Sequence, residues 1–262
     1  MLLAFLRRDW TTQRSYRFQF VFDIVGSLTT LAMFFFLGDL IAQPGGEFAS
    51  AEAYLSFAVV GIATMQVVNT TVTSITSRLR TEQTTGTFEM LVASPTPRAA
   101  LVVGTALFDA LWAILWAAVL VVLAVLFFGV SLAPTVGSLL AAGVAIVASG
   151  ALFLGVGAAL AGFTVVFKAA GGIVSIYVTA VGVLCGVYYP TSVLPAPLRT
   201  LSDLIPLTWA VDVLRRALLD GEVEWGRLGL LIGAGVLAMP IGVMVFEAAV
   251  KRAMQAGTLA QY

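Results

Sequence analysis

Residues 78–98, RLRTEQTTGTFEMLVASPTPR, form the one long polar interruption between the apolar blocks in the first half of the chain. On a helix of period about 3.6, Arg78, Glu82, Thr85 and Glu89 share one face, while Thr84, Phe88, Leu91 and Val92 share the opposite one. Such a two-faced pattern predicts a short amphipathic helix at a membrane surface; a solvated loop between two spans would scatter its polar residues without a period. Gly86 falls inside this helix, at a cost of roughly 1 kcal/mol relative to alanine, which a bend or a close backbone approach would justify. Pro95 and Pro97 then stop the helix and redirect the chain.

The flanking blocks identify the solvent. With 262 residues, 60% of them hydrophobic and 11% charged, and a mean hydropathy of +1.01, the chain cannot hide its apolar surface inside a water-soluble globule of this size. The fold class is therefore an all-α integral membrane protein, expected as a single transmembrane domain over 1–262. Fourteen basic and 14 acidic residues balance, so net charge suggests no nucleic-acid partner, and the environment is membrane lipid. There is no histidine, and Cys185 stands alone in an apolar run. Histidine triads, zinc-protease motifs, cysteine metal clusters and intrachain disulfides are thereby excluded.

A span needs roughly 20 apolar residues, and six stretches qualify or nearly qualify, at about 18–41, 53–76, 99–128, 136–163, 169–189 and 227–250. Lysine and arginine orient them. Arg7, Arg8, Arg14, Arg17, Arg78, Arg80, Arg98, Lys168, Lys251 and Arg252 would lie on one side; only Arg199, Arg215, Arg216 and Arg227 lie on the other. Both termini and the 78–98 segment are expected in the cytoplasm, and a prokaryotic plasma membrane is the expected location. Leu2 to Leu6 is too short for a signal-peptide core and precedes Arg7 and Arg8 instead of following them. Leu3, Leu6 and Trp10 suit an N-terminal interfacial helix, although the same residues read equally as a basic flank that sets orientation.

After the fifth stretch, Tyr188-Tyr189-Pro190, Leu194-Pro195, Pro197 and Pro206-Leu207-Thr208-Trp209 punctuate apolar residues at helical spacing: Leu198, Leu201, Leu204 and Ile205, then Val211, Leu214 and Leu218. Two short helices dipping back from the outer face fit this pattern; a lipid-surface loop anchored by Trp209 is the plainer alternative.

Both punctuated segments carry a family resemblance. Glu82, the Gly86-Thr87-Phe88-Glu89 run, Leu91 and Ser94-Pro95 resemble the Glu-x-x-x-Gly-Thr-hydrophobic-Glu-x-Leu…Thr/Ser-Pro segment of type-2 ABC export permeases. In that family it is the coupling helix that touches the ATP-hydrolysing subunit. Pro190, Leu194-Pro195, Pro206-Leu207-Thr208 and Leu214-Arg215 are similar to the string in the re-entrant hairpin before the family's last span. The resemblance implies ATPase-subunit contacts at Glu82, Thr85, Gly86, Glu89, Ser94 and Pro95, and a hairpin built on Pro190, Pro195, Pro206 and Trp209. It further implies two separate ATPase subunits and a second permease subunit, identical or a sister chain.

Few residues inside the spans could carry transport. Gln66, Asn69, Thr70 and Thr73 sit at i, i+3, i+4 and i+7 in the second span and form a polar stripe, a candidate seam or cavity wall on the translocation path. Asp23 and Asp109 are ionisable residues placed within spans. They would line the cytoplasmic entrance, form ion pairs with Arg14, Arg17 or Arg98, or bend toward headgroups. Phe34, Phe35, Phe36, Trp112 and Trp116 would line an apolar path or face lipid and neighbouring helices. Gly150, Gly155, Gly157 and Gly162, with Gly182-x-x-x-Gly186 and Gly229-x-x-x-Gly233, are packing features of a bundle or a dimer seam.

No Gly-x-x-x-x-Gly-Lys-Ser/Thr phosphate loop is present, and the tail after Ala248 is too short for a nucleotide-binding domain. The chain is thus expected to bind no cofactor and to be no enzyme itself, with ATP and Mg on a partner ATPase. The leading expectation is the membrane subunit of an ABC exporter moving a drug, lipid or other amphipathic molecule outward. An ATPase-independent secondary transporter or channel would show an inverted repeat, broken helices or more intramembrane charge. A membrane-embedded enzyme would have only isolated aspartates, serines and Cys185 to work with.

Overall fold

The structure, a computed structural model, describes residues 17–43, 46–84, 98–167 and 170–255. All regular structure among the described residues is helical, as it must be where no water can satisfy backbone N–H and C=O groups. In order the helices are α1 (Arg17–Ile41), α2 (Ala51–Thr84), α3 (Arg98–Phe128), α4 (Val136–Phe167), α5 (Ala170–Leu184), α6 (Ala196–Leu204), α7 (Pro206–Arg215) and α8 (Trp225–Gln255). Five of them, α1 to α4 and α8, contain segments long and apolar enough to cross a membrane. The predicted span at 169–189 corresponds to α5, whose 15 residues make about 22 Å of helix, short of a hydrocarbon core of about 30 Å.

Two expectations change at the other end of the chain's polar interruption. The second span does not stop near residue 76: α2 runs unbroken for 34 residues to Thr84, because 76–84 contain no glycine or proline and are rich in good helix formers. Arg78 to Thr84 are thus the end of a span, not the start of a separate surface helix. The rest of that predicted helix, with Thr85, Gly86, Glu89, Ser94 and Pro95, lies outside the described residues, as does the predicted interfacial helix before residue 17.

The tightest packing joins α4 to α8, which run parallel: Ala148 meets Gly235, Gly155 meets Ala238 and Gly242, and Gly162 meets Phe246 and Ala249. A Cβ on Gly242 would run into the Gly155 carbonyl, and one on Gly155 into the Ala238 carbonyl, so the two backbones touch. Lipid tails are as apolar as leucine, so such close approach of small residues drives association where the hydrophobic effect does not. Pro240 lies within this stretch of α8, unable to donate to the carbonyl one turn earlier. Gly150, Gly229 and Gly233 face open space and take no part in the seam.

At one end of the bundle the connections gather. Ser192 Oγ donates to Glu47 Oε1 (3.0 Å), Tyr54 Oη donates to the Tyr188 carbonyl (3.0 Å), and the Ala133 amide donates to the Leu218 carbonyl (3.1 Å). Residues 46–50, 129–135 and the segment 185–224 therefore share that end, and α5 brings the chain back to it.

Candidate translocation site

α2 is the central helix, 67% buried over its most apolar window against 11% for α1 and 22% for α3. Its open face is polar. Val68, Thr71 and Val72 are buried, whereas Asn69 is exposed and Gln66, Thr70 and Thr73 are half-buried. Among the described residues the four therefore lie on a less covered side of α2, with Asn69 its exposed member. Thr73 Oγ1 donates back to the Asn69 carbonyl at 2.7 Å, which satisfies the hydroxyl locally and leaves its lone pairs outward.

α1 contributes a second stripe. Asp23, Gly26, Ser27 and Thr30 recur at i, i+3, i+4 and i+7 and, with Gln66 of α2 and Trp112 and Trp116 of α3, line a groove of about 390 Å³. Ser27 and Thr30 donate to the Asp23 and Gly26 carbonyls at 2.8 and 3.0 Å. The structure thus brings Asp23 and Gln66 of the predicted path into one groove, with the two tryptophans as its aromatic wall. The α1 stripe was legible as helical spacing, but its small, weakly polar members are masked by the surrounding phenylalanines.

Asp109 is placed differently. Arg78 Nε and Nη2 donate to its two carboxylate oxygens at 2.8 and 2.7 Å, a bidentate pair that ties the end of α2 to α3. Among the described residues Arg78 is thus a partner of Asp109 and reaches toward α3. Arg14 and the side chains of Arg17, Glu82 and Arg98 lie outside the described residues.

The predicted hairpin is present as two helices at the end where the connections gather. Pro190 precedes a 3-10 turn, Pro195 precedes α6, and Pro206 opens α7 at the first helical position, where its missing N–H costs nothing. Thr208 Oγ1 and Trp209 Nε1 donate to the Ser202 and Asp203 carbonyls, each at 2.7 Å, closing α7 against α6. Trp209 therefore acts as a clasp within the hairpin. α7 buries Leu207, Ala210, Val211, Val213 and Leu214, while α6 exposes Leu198, Leu201 and Leu204.

Arg215 fastens this hairpin to the bundle. It is 9% exposed, donates from Nε and Nη2 to the carbonyls of Phe57 and Val187 at 3.1 Å each, and sits 3.4 Å from the Phe57 ring centroid. Gly61 makes room, since a Cβ there would strike the Val187 carbonyl and the guanidinium. Phe57 lies about 9 Å down α2 from its first residue, so α7 ends well below the rim of the bundle. A helical-turn variant at Arg216–Asp220 follows. The 129–138 segment donates to this turn and its cap: Ser138 Oγ to the Ala217 carbonyl at 2.7 Å, and Thr135 Oγ1 to the Gly221 carbonyl at 3.1 Å. Gly221 has φ 71° and meets the Ala133 carbonyl, so no other residue fits there without strain.

Sequence reasoning missed Arg215 as a fastener, because its acceptors are backbone carbonyls that no side-chain pattern announces. It also missed a cavity of about 540 Å³ at the end where the connections gather, walled by Phe34, Phe48, Tyr54 and Tyr188, in which Phe34 stacks on Tyr188 at 5.9 Å. Phe36 is exposed, and Phe35 packs on Phe128. No group of three or more metal-ligating side chains occurs among the described residues.

Two features therefore define the molecule: a multi-pass helical bundle with an open polar stripe, and a short-helix hairpin before its last span. No curated protein matches the chain significantly. The family model of the ABC-2 type transporter matches residues 2–219, most of the chain and both motif segments. The chain belongs to the ABC-2 type transporter family, as a transmembrane transport component of the kind that associates with ABC ATPases.

Proposed function

We propose that this chain is the permease subunit of an ATP-driven exporter, pairing with a second permease subunit and two separate ATPase subunits that bind ATP and Mg. The observation that carries the reading is the polar stripe on the less covered side of α2. An asparagine amide left in hydrocarbon is costly, and a second bundle facing the stripe would enclose it in a shared, hydrated seam through which an amphipathic substrate could pass outward.

Orientation with both termini in the cytoplasm has support in the charges. Of the four basic residues on the expected outer side, Arg216 pairs with Glu224 at 2.5 Å, Arg227 pairs with Asp212, and Arg215 is buried in the hairpin. α2 also exceeds the hydrocarbon thickness by about 20 Å, so its polar end would carry Glu82 and the Thr85–Pro95 segment toward an ATPase in the cytoplasm.

The experiment is disulfide crosslinking in native membranes. An Asn69→Cys protein should form a covalent dimer under an added oxidant, with itself or with a sister permease given a cysteine on its facing helix. A Val122→Cys protein, altered at an exposed site on α3 away from the stripe, should not. Equal crosslinking would remove the stripe from a subunit seam. For the coupling segment, Glu89→Lys should insert and dimerise normally yet lose stimulation of its ATPase by at least tenfold; wild-type coupling in a reconstituted complex would place the contact elsewhere.

A further inference from the structure

The cavity at the end of the bundle where the connections gather has aromatic walls and an acidic edge. It encloses about 540 Å³ and runs from Met33 on α1, about 12 Å of helix before Ile41, to Glu47 in the loop that follows. Phe34, Phe48, Tyr54, Tyr188 and Tyr189 line it. Two ring pairs set these walls in different planes: Phe34 stacks on Tyr188 at 11°, and Phe48 meets Tyr54 edge-on at 78°. Tyr188 stays 36% exposed despite that stack, and its backbone is fixed because the Tyr54 hydroxyl donates to its carbonyl. Among the described residues Glu47 is the only charged side chain lining the cavity. It is exposed, and the Ser192 hydroxyl engages one of its two carboxylate oxygens, at 3.0 Å. Arg199, which approaches Ser192, donates to the Thr191 and Ser192 carbonyls and is no part of the lining. Ring faces are electron-rich, and the carboxylate beside them adds a full negative charge. Such walls favour a cation that gives up its water easily, which a quaternary ammonium does and a strongly hydrated primary ammonium does not.

We infer that this cavity binds a quaternary ammonium cation, packed against Phe48, Tyr188 and Tyr189 with the Glu47 carboxylate as its counter-ion. The inference goes beyond the transport reading and needs neither a second permease nor an ATPase. Leu37 and Ile41 on the α1 side are exposed, and Glu47 stands in the loop beyond them. A choline lipid headgroup and a free organic cation would therefore both reach the site, and the test separates them.

The full chain in dodecyl maltoside, an uncharged detergent, is titrated with choline, and binding is read by NMR as saturation transfer from the protein to the N-methyl protons. Saturable transfer is expected. The alcohol 3,3-dimethylbutan-1-ol has the same shape with carbon in place of nitrogen and should bind at least fivefold more weakly. Glu47→Gln keeps an acceptor for Ser192 but removes the charge, and Tyr188→Leu keeps apolar bulk but removes the ring. Each should weaken choline at least threefold, whereas Tyr188→Phe should keep the parent affinity. Glycerophosphocholine distinguishes the source: displacement of choline at no higher concentration than choline itself assigns a lipid headgroup, and weaker displacement assigns a free cation. No saturable choline binding, equal binding of the neutral alcohol, or parent affinity in either Glu47→Gln or a folded Tyr188→Leu would overturn the inference. Glu47 is an exposed loop residue, so its variant decides the matter even where Tyr188→Leu fails to fold. Crosslinking through Asn69 and coupling through Glu89 read other parts of the chain, so their failure would leave this site standing and its failure would leave them standing.

Discussion

The seam between α4 and α8 and the groove between α1, α2 and α3 are the two ways in which this chain brings long helices together, and they are opposites. Along the seam Gly155, Gly235 and Gly242 let backbones touch. Along the groove Asp23, Gln66, Trp112 and Trp116 hold the helices apart around about 390 Å³ of space. In a bilayer apolar surface alone does not drive helices together, so stability must come from close contact, and places without close contact are free to do something else. The seam is where this chain is held together; the groove and the stripe beside it are where it is available.

The hardest way to break the contrast is to add a side chain on each side of it. Gly242→Leu forces a side chain into the Gly155 carbonyl, and overpacking of this kind costs about 3 kcal/mol. Gly229→Leu adds the same atoms on the same helix into open space and should stay within about 0.5 kcal/mol of the parent. Thermal unfolding in detergent should show a large fall for the first and none for the second. Equal falls would mean that the α4–α8 contact is not the tight one.

That pair also marks what the sequence could tell. The crowding of glycine in α4 reads directly as packing, and five of the six predicted spans are helices of crossing length. But the Gly229-x-x-x-Gly233 pattern says only that two small residues share a face, not what lies opposite; Gly235 and Gly242, without that spacing, are the ones that touch α4. The partner of Asp109 was illegible for a similar reason. Arg78 and Asp109 are separated by 31 residues, and only the relative rotation of α2 and α3 brings them together. The hairpin was legible because prolines carry fixed backbone rules, whereas its fastener depends on two carbonyls that every residue possesses.

A smaller effect should follow from releasing that fastener. Arg215→Met keeps the length and apolar stem of the side chain but leaves the Phe57 and Val187 carbonyls without its two hydrogen bonds. The expected loss is about 2 kcal/mol, confined to the hairpin, since bonds from a charged donor each contribute about 1.5–3 kcal/mol and removal of a buried charge recovers part of that. Hydrogen exchange should accelerate over residues 187–220 and remain slow in α4 and α8. A protected hairpin in Arg215→Met would show that burial of Leu207, Val211 and Val213 holds it without the arginine.

The smallest expected effect on stability belongs to the stripe, and its smallness carries the argument. Asn69 is exposed on a helix whose neighbouring positions Val68, Thr71 and Val72 are buried, so Asn69→Leu takes little buried surface from the described residues. Unfolding of the single chain should shift by no more than about 0.5 kcal/mol, with a gain as acceptable as a loss because an apolar side chain suits lipid. Transport by the assembled complex should nonetheless fall several-fold, since the substitution dries the face on which the second subunit and the path depend. Val68→Ala, one residue away, should do the reverse: a cavity costing about 1 kcal/mol in the bundle core, and transport little changed. If Asn69→Leu destabilised the isolated chain while Val68→Ala abolished transport, the open and closed faces of α2 would have their roles exchanged, and the division of this molecule into a holding side and a working side would fail at its centre.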